Sequence, residues 1–539
     1  MGFLTDIYSG VNVSFSQRRF GQTGMSAATD EAEGPVNTSP NTYLQFVSGS
    51  VNPSTVSGEI YSTAYTKIRA VNKLLQHLPE APFSADQRSR VKGEAMFLRA
   101  WYYSLLLKHY GGVPIVGNIL YGRNDEIITS RNSYAECVDY IATQCDSASR
   151  FLKVSYDQLN VGRATIGACA ALKARVFLYA ASPLFNRDPG NIVPDPFTGY
   201  ADRKFVAYEN YDIKRWKRAA DAADTLIRSG IYQLLEFAPS AADSKGRAGL
   251  GFYRLFLYKY VTQNNEFIFR GSKPSAFNNE VNQDFDPPSR GGHNNLNGTY
   301  PYQELVDAFD MKDGKPATGN PLYNPAKPYD NRDPRFEYTI LHNGYEKHSL
   351  QDGRIQVPVY TYVSAVSDGI YVGTATGYYI KKMISDSSAA NNFTSQLSPT
   401  FYPLMRYAEL LLNYAEAINE FDEGGGYVKA REKLIMIRKR AGIEPGSDGF
   451  YGITASNQAQ MRLAIQHERR IELAFEEHRF WDVRRWLIAD ETENQSMNGM
   501  EIRLTGTNTF SYKKVFIRKH DFARKTYLWP FPQGEVSKA

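Results

Sequence analysis

The stretch HERRIELAFEEHRFWDVRRW, residues 467–486, decides how the rest of the chain is read. It carries five acids (Glu468, Glu472, Glu476, Glu477, Asp482) and five bases (Arg469, Arg470, Arg479, Arg484, Arg485), so its net charge is zero with neutral histidines. Between the charges, Ile471, Ala474, Phe475 and His478 recur at helical spacing and define one inward stripe. The spacing predicts a helix over 458–486, with i,i+3 ion pairs Arg469/Glu472, Glu476/Arg479 and Arg479/Asp482 on its surface. Trp481 and Trp486 lie in the same block.

So many ions beside aromatics invite an active-site reading, and the residue types refuse it. A zincin needs HExxH, but His467-Glu468 is followed by Arg469, Arg470 and Ile471. His467 and His478 would stand about 16 Å apart on one straight helix, too far to share a metal. A di-iron bundle wants Glu-x-x-His, and position 475 is Phe475. Interleaved arginines favour ionised carboxylates rather than the raised pKa of a general acid. The stretch reads as an ion-paired lattice that locks helices together.

Working outward, helical patterns cover about 59–78, 85–110, 133–152, 165–181, 214–229, 403–420 and 427–441. The helix over 85–110 is apolar nearly all round, which predicts deep burial. Thr165 is the expected N-cap of the next-but-one helix. A small-x3-apolar-x2-small seam recurs as Gly93, Phe97, Ala100; as Ala174, Leu178, Ala181; as Ala408, Leu412, Ala415; and, with Ile last, as Ala430, Leu434, Ile437. It resembles the A-x3-F-x2-A core of the tetratricopeptide repeat, in which stacked helix pairs bury a shared seam. The expected fold class is mainly α: one unit over 1–539, with a scaffold of tetratricopeptide-like helix pairs at 59–235 and 401–490. A loop-rich insertion with short β-strands is expected at 236–400, and an extended segment at 1–58. Within the insertion, β runs are expected at 266–269, 356–363 and 377–382, between turn signals such as Asp313-Gly314, Asn343-Gly344 and Asp368-Gly369.

Composition narrows the function classes. At 539 residues, 42% hydrophobic and 22% charged, this is an ordinary globular balance. The net charge of +5 comes from bases alternating with acids. Without a basic stripe, nucleic acid is not an expected partner. Cys137, Cys145 and Cys169 form no metal motif or disulfide framework and read as small buried hydrophobes. No stretch approaches the roughly 20 apolar residues of a membrane span. MGFLTDIYSG lacks a signal-peptide pattern. Walker A, post-strand GxGxxG and GxSxG motifs are absent, and Asp310-Met311-Lys312-Asp313-Gly314 is no EF-hand. No cofactor, metal or catalysis is expected.

All five tryptophans (Trp101, Trp216, Trp481, Trp486, Trp529) fall outside 236–400. That segment is instead rich in Tyr, Phe, Asn, Asp and Arg. Flat apolar faces beside amides and ions suit a sugar.

Seven blocks, in order, resemble the SusD/RagB family of Bacteroidetes cell-surface nutrient-binding lipoproteins: GEAMFLRAWYYSLLLKHYGGVP (93–114), GRATIGACAALKARVFLYAASPLFN (162–186), DNRDPRFEYTI (330–340), PLMRYAELLLNYAEA (403–417), IRKRAGI (437–443), the opening stretch, and LWPFPQGE (528–535). The resemblance implies non-catalytic glycan binding at the outer membrane, delivery to a SusC-like TonB-dependent transporter, and a lipid anchor. The lipid-bearing cysteine is expected ahead of Met1, since the first cysteine here is Cys137. In such proteins the ligand residues come from variable loops. The matching regions here are the segment between Asp30-Glu31 and the first helix, and the insertion. The expected ligand residues are Tyr43 and Phe46 in the first. In the second they are Phe277, Phe285 and Tyr300 as stacking surfaces, with Asn278, Asp284 and Arg290 as hydrogen-bond partners. The absence of Trp from these loops favours a small Tyr/Phe platform, with peptide capture as the alternative.

Overall fold

The computed structural model describes residues 2–14, 18–21, 23–36, 39, 42–122, 124–126, 130–236, 248–257, 264–271, 285–288, 297–349, 353–356, 359–360, 368–384 and 402–537. Phe277, Asn278, Asp284 and Arg290 lie outside the described residues.

The scaffold is a row of helices: α1 (Tyr61–His77), α2 (Ala85–Tyr110), α3 (Tyr134–Ser149), α4 (Ile166–Ala181), α5 (Lys214–Arg228), α6 (Tyr407–Phe421), α7 (Gly426–Ala441) and α8 (Gln458–Glu472). Each packs on the next, including α5 on α6 across the whole insertion. The chain signs the ends locally. Ser84 and Gln87 form a capping box at α2, Ser133 and Glu136 another at α3, and Thr165 accepts from the Ala168 amide at α4. The repeating seam is inside: Phe97, Ala100, Ala174, Leu178, Ala181, Ala408, Leu412, Ala415, Ala430, Leu434 and Ile437 are all buried. The small members let helix axes approach closely, as the repeat reading requires. Cys137, Cys145 and Cys169 are free and buried among them.

Four expectations change. The first is the helix over 458–486, which stops at Glu472 and resumes as α9 (Arg479–Arg485). Phe475 and Glu477 take positive φ (58° and 61°), a left-handed conformation that helices cannot contain. The cause is long-range. Lys382 Nζ donates to the carbonyls of Glu472 (3.0 Å) and Ala474 (2.8 Å), and Arg406 Nη2 to that of Glu472 (2.8 Å). Two buried cations thus satisfy the orphan acceptors of the helix end. The predicted local ion pairs give way to distant ones: Arg469 to Asp482 (3.0 Å), Arg479 to Asp30 (2.8 Å) and Glu476 to Lys382 and Arg406 (2.7 Å each).

Second, 403–406 is not helix. Pro403–Arg406 is a strand, antiparallel to Phe267–Arg270. Third, the N-terminal segment is not merely extended; it contains a helix, Gly2–Ser9, with Leu4 and Ile7 buried. Fourth, Ser496–Gly506 and Thr509–Lys519 form a long antiparallel hairpin that the sequence reading omitted. The other β elements are two-stranded: Ala32–Glu33 with Tyr300–Pro301, Ile340–Leu341 with Tyr379–Ile380, and Glu346–Ser349 with Gly353–Gln356.

Trp481, on α9, packs edge-on against Phe480 (4.9 Å) and His109 (4.5 Å), with Lys108 Nζ 4.6 Å from its ring. Trp481→Ala is expected to cost roughly 3–5 kcal/mol of stability by opening a cavity. Urea denaturation measures the loss, and ligand affinity of the folded fraction should not move.

Candidate functional site

Two regions of the chain were expected to carry ligand residues, and the fold joins them. Ala32 pairs with Pro301 and Glu33 with Tyr300, so the N-terminal segment and the insertion share a two-stranded sheet. Glu33 is the tie. Its buried carboxylate accepts from Tyr43 Oη (2.6 Å), Tyr302 Oη (2.9 Å) and Arg518 Nε (2.8 Å). N-terminal segment, insertion and C-terminal hairpin therefore meet at one acid.

Of the eight expected ligand residues, the four that are described are all buried: Tyr43, Phe46, Phe285 and Tyr300. Phe46 is packed by Phe20 (5.7 Å), Phe480 (5.4 Å) and Trp529 (4.6 Å). Burial and the Glu33 carboxylate push the Tyr43 phenol far above its ordinary value, so it stays a neutral donor. Phe285 belongs to the main core. Tyr300 sits in a satellite core with Leu341, Tyr345, Val359, Ala375 and Tyr379, meeting Tyr379 edge-on at 5.7 Å. These four rings present no free face to a ligand.

The Tyr300–Tyr379 core carries a tight turn. Tyr379 Oη donates to the Asp368 carbonyl (3.0 Å) at its base. The Val372 and Gly373 amides donate to the Gly369 carbonyl (3.1 and 2.9 Å), and the Tyr371 amide to that of Thr374 (2.9 Å). The Met500 amide, from the hairpin, donates to the Thr376 carbonyl (2.8 Å). At the tip Tyr371 is 56% exposed and Val372 42%. Tyr371 also takes φ 67°, a conformation costing a non-glycine residue about 1–2 kcal/mol. A strained residue persists when its surroundings over-determine it, and such residues collect at ligand sites. Partial burial pushes the Tyr371 phenol up, the Glu501 carboxylate adds to this, and Arg503 opposes it. Glu501 and Arg503, themselves paired at 2.9 Å, thus act on the same ring. An exposed, rigidly held aromatic flanked by an acid and a guanidinium can cover a sugar face and orient its hydroxyls. Sequence reading noted the Asp368-Gly369 turn and passed over the aromatic inside it. The signal available was a Tyr-Val pair between turn glycines, Gly369 and Gly373.

Asp30 is held by Arg470 and Arg479 (2.8 Å each). Burial, then the Asp30 charge, pushes the neighbouring Glu31 carboxyl up to about 8. The folded state therefore keeps a proton on Glu31 that the unfolded state has lost above about pH 4.3. This contribution is full below the unfolded value and is lost as pH rises through about 8. Glu31→Gln keeps the shape without the titration. Its advantage over the parent should widen from pH 5 to 8, read as the difference in urea midpoints.

Among the described residues, no group of three or more His, Cys, Asp or Glu could hold a metal ion, and no helix is long and apolar enough to cross a membrane. The chain belongs to the SusD family, whose model matches residues 265–539. A second family model, described as starch-binding associating with outer membrane, matches residues 16–178. The chain is similar to SusD-like protein P2 of Formosa agariphila, 31% identical over 169 residues, 29% of this chain. That match spans 32% of the relative's length. Among solved structures, a SusD-like protein of Bacteroides fragilis is 26% identical with a TM-score of 0.76, over 99% of this chain and 94% of the other. Another B. fragilis structure, described as a SusD-like carbohydrate-binding protein, is 22% identical (TM-score 0.76, covering 99% and 97%) and shares the fold. So do a laminarin-binding SusD-like protein and a structure with xylogluco-oligosaccharide, 19% and 17% identical with TM-scores of 0.64 and 0.65, each over 100% of this chain and 96% of the other.

Proposed function

We propose that this protein captures glycans at the outer-membrane surface, held there by a lipid anchor, and delivers them to a SusC-like TonB-dependent transporter. The observation that carries the reading is Tyr371, an exposed aromatic at positive φ on a turn braced by the Tyr300–Tyr379 core and the hairpin. Support comes from the family and from the laminarin and xylogluco-oligosaccharide neighbours. The insertion and the segment before the first helix form the ligand face, and Phe277, Asn278, Asp284 and Arg290 belong to that face.

Isothermal titration against oligosaccharides of plant, algal and host origin tests it, with incubated sugars then run on a column. The expected result is saturable binding with an unchanged chromatogram. Peptide binding with no glycan binding would replace the reading by peptide capture. Shortened sugars would make the protein an enzyme. Co-purification with a TonB-dependent transporter from the native membrane tests the delivery step.

A further inference from the structure

We propose that the cleft between α1 and α2, on the scaffold and apart from the insertion, is a subsite for the carboxylate or sulfate of an acidic sugar; the proposal rests on the glycan reading above. The cleft has a volume of about 1020 Å³. Its polar lining is Asn72, Gln76, Arg88, Lys92, Arg99 and Asn118, with Ser89, and no Asp or Glu lines it. Phe151, Leu75, Met96 and Leu120 supply apolar surface, and Lys92 Nζ stands 4.7 Å from the Phe151 ring.

Arg99 is the telling residue. It is 3% exposed, and every hydrogen bond of its guanidinium goes to a neutral oxygen. Nε and Nη2 donate to Gln144 Oε1 (3.1 and 2.8 Å); Nη1 donates to Asn72 Oδ1 (2.9 Å), Asn118 Oδ1 (2.6 Å) and the Gly117 carbonyl (3.1 Å). Elsewhere this chain buries arginine against carboxylate: Arg335, Arg406, Arg440, Arg469, Arg479 and Arg485 all do so. Buried charge is normally paired. Arg332 and Arg484 are also held by neutral oxygens, but neither lines this cleft. Among the described residues, Arg88 on the rim donates only to the Ala81 carbonyl (3.2 Å), and Lys92 has no ion pair. Three cations thus converge on one cleft with no acid to neutralise them. An anion entering it breaks no existing ion pair, while the amides and the Phe151 edge suit the hydroxyls and faces of the sugar that carries it.

The test is titration of the whole protein with tetragalacturonate, tetraglucuronate and sulfated galactotetraose, each beside its neutral counterpart, at 50 and 300 mM salt. Arg88→Ala/Lys92→Ala is the test variant, since both side chains are at the surface and the Arg99 network stays intact. Tyr371→Ala is the control. The expected result is at least tenfold tighter binding of one acidic sugar than of its counterpart. That preference should shrink at 300 mM salt, disappear in the double variant and survive in Tyr371→Ala. Equal binding of acidic and neutral sugars, or an unchanged preference in the double variant, overturns the subsite and leaves the glycan reading standing. Binding of no sugar at all overturns the glycan reading itself. Sodium sulfate competing at the concentration of the sugar means an adventitious ion only. Preferential binding to vesicles of 3:1 phosphatidylcholine to phosphatidylglycerol assigns the cleft to a lipid headgroup instead.

Discussion

Glu472→Ala is expected to destabilise the protein more than any surface substitution, by about 4 kcal/mol, because it breaks a buried charge network at its centre. Glu472 is fully buried and accepts from Arg335 Nη1 (3.0 Å), Arg406 Nη1 (2.7 Å) and Arg440 Nη2. Those three arginines also hold Asp333, Glu468, Glu476 and Glu266. Removing the acid takes one carboxylate from each of three buried guanidinium groups and leaves their network with surplus positive charge. Acidification should act in the same way. Burial pushes the Glu472 carboxyl up, but Arg440, Arg406, Arg335 and Lys382 outweigh it and hold it well below the usual carboxylate range. Its pKa is thus lower folded than unfolded. The stability it contributes is present above about pH 4.3 and is lost as pH falls toward the folded value. The variant should show both a lower urea midpoint at pH 7 and a shallower loss of stability below pH 4. An unchanged midpoint would remove the lattice from the account of what holds insertion to scaffold.

Tyr371→Ala should weaken glycan binding 10- to 100-fold, the usual weight of one well-placed aromatic at the centre of a site. Tyr371→Phe should keep most of the affinity, because the ring face does the covering. Tyr371→Gly separates binding from folding. Glycine adopts φ 67° freely, so this variant should be as stable as the parent or more so, by up to about 1 kcal/mol, while binding as poorly as the alanine variant. A glycine variant with full affinity would take Tyr371 out of the site.

The scaffold was legible because its signals are local. The N-cap at Thr165 and the seam of small residues act within a few turns of helix. The break after Glu472 was not legible, because Lys382 makes it from 90 residues away in sequence. The hairpin over 496–519 was missed because most of both strands faces solvent; Met497 and Ile502 are among its few fully buried side chains, so alternation is faint. The candidate site was not legible residue by residue. Tyr43 and Tyr371 are both tyrosines in turn-rich chain, and only the fold reveals that one is wholly buried against Glu33 and the other displayed.

The packing of α5 on α6 has a consequence for how specificity is inherited. The intervening chain leaves and rejoins the scaffold at adjacent points, so it is spliced in as one contiguous cassette. Recombination between relatives could exchange the whole segment, ligand face included, without touching the seam at Ala408, Leu412 and Ala415. The cassette must bring its own counter-charges, however. Glu266, Arg335, Lys382 and Arg406 lie within it, and their partners, Glu468, Glu472, Glu476 and Arg440, lie outside. A donor segment lacking that set would arrive with its own loops intact and still fail to seat. The charges therefore act as the compatibility key of the exchange, and the loops between them are free to change their ligand.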